Sequence, residues 1–259
     1  MILRGNLFSQ KLEMETSITI LAPDHQSNQP HRIVYLLHGL CGRSGDWIDY
    51  TMLPNYAGAY NTIFIMPEVA RSFYSDMKFG LNYFSYITDE LPQICRSNFN
   101  LSGDRENTAI IGASMGGYGA LKCALSRTDL YGMCCSFSAP CLFLKEDLQR
   151  SEGVLNFKEL YGESLLRDFQ AVFGENIPWS PKDDVVELAG RKKGNAEKLK
   201  VYLACGTDDY LYHDNLRYSY ILKDLQFDIN FEEWKGNHNW YFFDEALKRS
   251  LDFCFSGKP

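Results

Sequence analysis

The chain has 259 residues, 45% of them hydrophobic, a formal net charge of −7 and five histidines. That is enough material for one large domain or two small ones, and an acidic field attracts neither nucleic acid nor an anionic membrane surface, so both are excluded as expected partners. No stretch approaches the length of a membrane span, and the start, Met1-Ile2-Leu3-Arg4-Gly5-Asn6, lacks the apolar core of a signal peptide, so a cytoplasmic location is expected.

In chain order, Ser17 to Leu21 alternates like a half-exposed strand and runs into a Pro/Asn/Gln-rich turn over residues 23–30. Arg32 to Leu37 is a nearly continuous apolar run, as expected of a strand buried on both faces. It stops at the glycine-bearing loop His38-Gly39-Leu40-Cys41-Gly42. Thr62 to Met66 is a second such strand, closed by Pro67, and between the two Trp47 to Tyr60 reads as a helix interrupted at Pro54. Asn82 to Phe99 places Tyr83, Phe84, Ile87, Leu91 and Ile94 at three- and four-residue steps, which predicts an amphipathic helix despite Pro92.

Thr108 to Ile111 is a short strand, Tyr118 to Leu125 a small-residue helix and Met133 to Phe137 the next strand. Leu199 to Ala204 (strand), Leu211 to Leu225 (helix), Phe227 to Phe231 (alternating strand) and Trp240 to Phe253 (amphipathic helix) complete the series. Strands separated by helical stretches of this length imply an α/β fold with a mostly parallel central sheet covered by helices on both faces. Residues 141–195 break the rhythm with scattered aromatics, Pro178 and Pro181. They read as an insertion over the C-terminal edge of the sheet, either a lid or pocket wall or a plain surface excursion. Arg191-Lys192-Lys193 within it reads as a solvated loop. With no internal repeat or low-complexity linker, residues 1–259 are expected to form one domain. The eight cysteines show no C-x-x-C spacing, and free, buried thiols are expected.

Gly112-Ala113-Ser114-Met115-Gly116 matches G-x-S-x-G between a strand and a helix. Such a turn needs little bulk on either side, and it presents one side chain at the sheet edge beside the free N–H groups of a helix start. A serine hydroxyl is a weak nucleophile near neutral pH and needs a base, usually a histidine oriented by a carboxylate. His25 and His31 lie in the polar turn before the first buried strand. His38 is better placed to stabilise its loop, and His213 sits in the first turn of a predicted helix. His238, in Gly236-Asn237-His238-Asn239-Trp240, follows the last strand and fits a base over the sheet edge.

The acid should end a strand between the two, where Cys205-Gly206-Thr207-Asp208-Asp209 offers Asp208 and Asp209. Spacing alone does not choose between them. The order Ser, Asp, His is that of α/β-hydrolases. The two donors needed by a developing oxyanion are assigned to the backbone N–H groups of Met115 and Leu40. Trp47, Tyr74 and Trp240 either wall an acyl pocket or belong to the aromatic core.

Further strings carry a resemblance: Tyr35-Leu36-Leu37-His38-Gly39-Leu40, Gly45-Asp46-Trp47, Ser72-Phe73-Tyr74-Ser75-Asp76, Asp89-Glu90-Leu91-Pro92 and Ser114-Met115-Gly116-Gly117-Tyr118-Gly119. With these the chain resembles the esterase D-like family of α/β-hydrolases, most of all its small bacterial tributyrin-esterase branch. The resemblance implies the α/β-hydrolase fold and a metal-free carboxylesterase without a cofactor, acting on small-molecule esters with short acyl chains. It implies Asp209 as the acid, in the fourth position of G-x-x-D, with Ser114, His238 and the donors Leu40 and Met115. Relatives that remove acetyl or cinnamoyl groups from plant polysaccharides, S-formylglutathione hydrolases and secreted mycolyltransferases share the wider family. Homo-oligomers occur among similar enzymes. Cys41 lies where the glutathione branch has a cysteine close by, but the loop otherwise departs from that branch, so a structural role is expected. A thioesterase is the competing enzyme reading. A non-catalytic binding protein on the same fold would require damage to the triad, and none is visible.

Overall fold

The computed structural model describes residues 1–24, 30–99, 101, 104–150, 154–192 and 199–255. Among the described residues, eight strands form one sheet: β1 (Ile2–Ser9), β2 (Met14–Leu21), β3 (Arg32–Leu37), β4 (Thr62–Pro67), β5 (Thr108–Ala113), β6 (Met133–Phe137), β7 (Lys200–Gly206) and β8 (Asp228–Trp234). Their spatial order is β1-β2-β4-β3-β5-β6-β7-β8. The pairs from β4 to β8 are parallel, and β1 and β2 form an antiparallel flap on one edge.

The helices are α1 (Asp46–Tyr50), α2 (Leu53–Ala59), α3 (Tyr83–Ser85), α4 (Leu91–Phe99), α5 (Met115–Ser126), α6 (Leu144–Arg150), α7 (Val154–Phe173), α8 (Val185–Gly190), α9 (Tyr212–Asp224) and α10 (Trp240–Phe255). Among the described residues, none is long and apolar enough to cross a membrane.

The continuous apolar runs have the expected cause. Along β3, Ile33, Tyr35 and Leu37 face a core layer shared with α4, α5, α8 and α9, while Val34 and Leu36 face the opposite layer with Trp47, Phe242 and Leu247. The two prolines flagged in helical stretches act differently. Pro54 sits in the first turn of α2, where its missing N–H is harmless, and the chain breaks one step earlier, between α1 and α2. Pro92 lies inside a continuous helical path. There a π-helical turn (Tyr86–Glu90) precedes it, and the Thr88 carbonyl, which Pro92 cannot serve, accepts from Arg127 Nη1 at 3.1 Å.

Strand β1 has no counterpart among the predicted elements. Most of its side chains are exposed, so no burial pattern marks it, and pairing with β2 over eight residues is what makes it a strand.

Six of the cysteines are buried as free thiols, and burial pushes Cys95, Cys123 and Cys205 up to about 12. Cys41 departs from the expected burial of the thiols. It is exposed on the loop after β3, with Arg71 Nη1 3.5 Å from its sulfur. His25 and Lys193 lie outside the described residues.

Candidate active site

The central parallel strands leave their C-terminal ends on one edge of the sheet. Leu40 follows β3, Ser114 follows β5, Asp209 follows β7 and His238 follows β8. Ser114 adopts φ 56° and ψ −126°, a conformation that L-residues avoid and that costs energy of order 1–3 kcal/mol. The strain is held by close backbone packing. A Cβ on Gly112 would lie 2.2 Å from the Gly116 carbonyl oxygen, and one on Gly116 would lie 2.4 Å from the Leu37 oxygen. Ser114 N–H donates to Phe137 O at 2.9 Å, and the Ser114 carbonyl accepts from Gly117 N–H at 2.8 Å, so the turn is clamped to β6 on one side and to its own helix on the other.

His238 and Asp209 meet directly. Nδ1 of His238 lies 2.9 Å from Asp209 Oδ2, and Oδ1 accepts from Leu211 N–H at 2.9 Å. An ionised carboxylate only accepts, so the imidazole proton sits on Nδ1 and Nε2 is left as the basic nitrogen. Burial alone would raise the Asp209 pKa. Hydrogen bonds from His238, Leu211 N–H and Ser138 outweigh it and hold the carboxyl below the ordinary aspartate value. Asp208, which spacing left open, is exposed, and its N–H is tied to Gly236 O at 3.0 Å. The loop after β7 is thereby fastened to the loop that carries His238.

Ser114 and His238 border one open groove with Gly39, Cys41, Asn239 and Trp240. No hydrogen bond joins the Ser114 hydroxyl to His238 in this structure, as is common before substrate closes such a site. The Leu40 loop lies over the serine, since a Cβ on Gly39 would sit 3.5 Å from the Ser114 Cβ. Among the described residues, neither Leu40 N–H nor Met115 N–H donates a backbone hydrogen bond outside regular secondary structure.

The other described histidines are occupied elsewhere. His38 is buried, with Val69 N–H donating to Nε2 at 3.1 Å and Nδ1–H donating to Gly39 O at 2.8 Å. It holds the loop and has no nitrogen left for a base. His31 pairs with Asn61 at the far end of β3, and His213 packs on Tyr212 in the first turn of α9. Among the described residues, no group of three or more His, Cys, Asp or Glu side chains has a metal-binding arrangement.

The three aromatics divide. Trp47 is buried and donates from Nε1 to Leu37 O at 3.0 Å, and Tyr74 is buried and donates from its hydroxyl to His38 O at 2.9 Å. Both brace the segment leading to Leu40. Tyr74 does so from two successive left-handed residues, Phe73 (φ 48°) and Tyr74 (φ 50°), with its ring against Gly119 of α5. Only Trp240 borders the groove, stacked under Tyr50 at 5.3 Å. This bracing role was not read from the sequence, although the string Ser72 to Asp76 marked its location.

The sequence profile of the family described as "Putative esterase" matches residues 9–253. The chain belongs to that family. The esterase is 26% identical over 269 aligned residues to an acetyl esterase of Caldicellulosiruptor saccharolyticus, with 97% of each chain covered. Among solved structures it is similar to the substrate-bound fluorophosphonate-binding serine hydrolase F (FphF) of Staphylococcus aureus, at 27% identity and TM-score 0.85, with 99% of this chain and 98% of that one covered. It is also similar to the S-formylglutathione hydrolase FrmB of Staphylococcus aureus, at 26% identity and TM-score 0.82, with 99% of each covered. The esterase therefore has the α/β-hydrolase fold and is a carboxylic ester hydrolase of the serine type that acts on small-molecule substrates.

Proposed function

We propose that Ser114, His238 and Asp209 form the catalytic triad of a cytoplasmic carboxylesterase that cleaves small esters of short acyl chains, carbohydrate and phenolic esters included, and does not act on nucleic acid. The observation that carries the reading is the 2.9 Å His238–Asp209 pair beside a groove that Ser114 also borders. Ser114 Oγ attacks the ester carbonyl carbon as its proton passes to His238 Nε2. Charge on the former carbonyl oxygen is met by Leu40 N–H and Met115 N–H, the second aided by the start of α5. The bond to the alcohol breaks as His238 returns the proton to the leaving oxygen. Water then repeats the cycle on the acyl-enzyme, with Asp209 stabilising the imidazolium in both halves.

A fluorophosphonate probe should label the wild type stoichiometrically at Ser114. Ser114→Ala should lose labelling together with roughly 10^6 of kcat on a p-nitrophenyl ester. Wild-type turnover in that variant would overturn the assignment. The likeness to FrmB supports a thioesterase as the second reading. Rates on S-formylglutathione and on oxygen esters, measured side by side, separate the two.

A further inference from the structure

Two hollows meet at Ser114. One, of about 210 Å³, is bordered by Leu40, Met115 and Phe73 and by Leu144, Leu165 and Phe169 from the segment between β6 and β7. The other is the open groove, of about 560 Å³. Ser114 and Leu40 border both, Met115 only the first and His238 only the second. This division orients an ester. The group that protonates the leaving oxygen must reach it, so the alcohol lies on the side of His238. With the carbonyl oxygen toward Leu40 and Met115, the acyl substituent continues into the smaller hollow.

Resting on the Ser114 reading, we propose that this hollow is an acyl pocket fitted to acyl groups of about six carbons or a benzoyl ring, and that α7 sets its limit. Within the small esters of short acyl chains proposed above, the substrates it favours carry an acyl group larger than acetyl, up to hexanoyl or benzoyl. Size supports this: a hydrocarbon-lined cavity of about 150 Å³ already holds benzene, and an acetyl methyl would leave most of the space empty. Lining supports it too. Phe73 and Phe157 each meet Phe169 ring to ring at 4.9 Å, so an inserted chain or ring replaces water against carbon. The lining also carries two carboxylates. Asp147 is half-buried and Asp214 exposed, and their carboxylates disfavour an acyl group that is itself anionic.

The test is kcat/KM of the full chain on p-nitrophenyl esters from acetate to decanoate, and on the benzoate. Each methylene buried should raise it about fourfold up to hexanoate, with benzoate above acetate and a fall by decanoate. Leu165→Trp should lower the hexanoate-to-acetate ratio by about tenfold or more, and Leu165→Ala should move the optimum to longer chains. Fluorophosphonate labelling of both variants checks that they are folded. A labelled wild type that prefers acetate, with a steady decline along the series, overturns the pocket alone. A wild type that is neither labelled nor active on any ester overturns the Ser114 reading, and the pocket with it.

Discussion

The turn at Ser114 and the wall between β6 and β7 border the same cavity but are built by different means. At the turn, backbone meets backbone: Gly112 against Gly116, Gly116 against Leu37, Ser114 N–H on Phe137 O. In the wall, side chains from α6 and α7 meet side chains, with Phe157, Leu166 and Phe169 in the core layer. One buried ion pair helps hold the wall to the turn's helix. Lys122 of α5 lies 2.5 Å from Asp183, just ahead of α8, and 2.5 Å from the Ser75 hydroxyl. Backbone packing tolerates no added atom, whereas side-chain packing can exchange one shape for another of similar volume. Chemistry is therefore expected to be fixed at the turn, and substrate choice to be set in the wall.

Substitutions at the sheet edge should have the largest effects. Asp209→Asn should lower kcat about 10^4-fold by favouring the wrong imidazole tautomer, while Asp208→Asn, on an exposed side chain, should change it by less than about twofold. Equal effects in steady-state kinetics would remove the distinction between the two carboxylates. Gly116→Ala adds an atom that must displace the Leu37 carbonyl, and with it the oxyanion loop. A loss of about 10^2-fold in kcat is expected, and near-wild-type kcat would show that the backbone contact is not what positions the serine.

Tyr74→Phe keeps the ring and removes only the bond to His38 O. A fall of about tenfold in kcat with KM unchanged is expected, because a buried carbonyl loses its donor and the loop carrying Leu40 loosens. A change in melting temperature with kcat intact would make Tyr74 a core residue only. The smallest effect concerns pH. The native Asp209 pKa is lowered, so its ionised form contributes stability that is fully present above the unfolded value, about 3.9, and is lost as pH falls through the native value. The stability difference between wild type and Asp209→Asn, followed by denaturant unfolding from pH 7 to pH 3, should therefore move in the variant's favour at the acid end. A flat difference would mean that the carboxylate gains nothing from its partners.

Strands buried on both faces were legible because each must be apolar along its whole length. The candidate nucleophile was legible because it follows such a strand, and the base because it follows the last, alternating strand. The choice between Asp208 and Asp209 was not legible from spacing. Neighbours in sequence point in different directions, and which one turns inward depends on the Asp208 N–H reaching Gly236 on the adjacent loop. The exposure of Cys41 was not legible for a similar reason, since residue type does not report whether a loop will be covered. Strand β1 escaped because an edge strand needs a neighbour's hydrogen bonds and not a hydrophobic pattern of its own.

From its residues alone this protein specifies a parallel sheet, a strained serine turn and the order of three chemical groups, since local sterics and burial periodicity act over a few residues and leave a mark in the string. The tertiary structure decided which carboxylate faces the imidazole, what braces the loop of Leu40 and how much room lies beside Ser114. Those are properties of contacts between segments far apart in the chain, and no short stretch encodes them by itself.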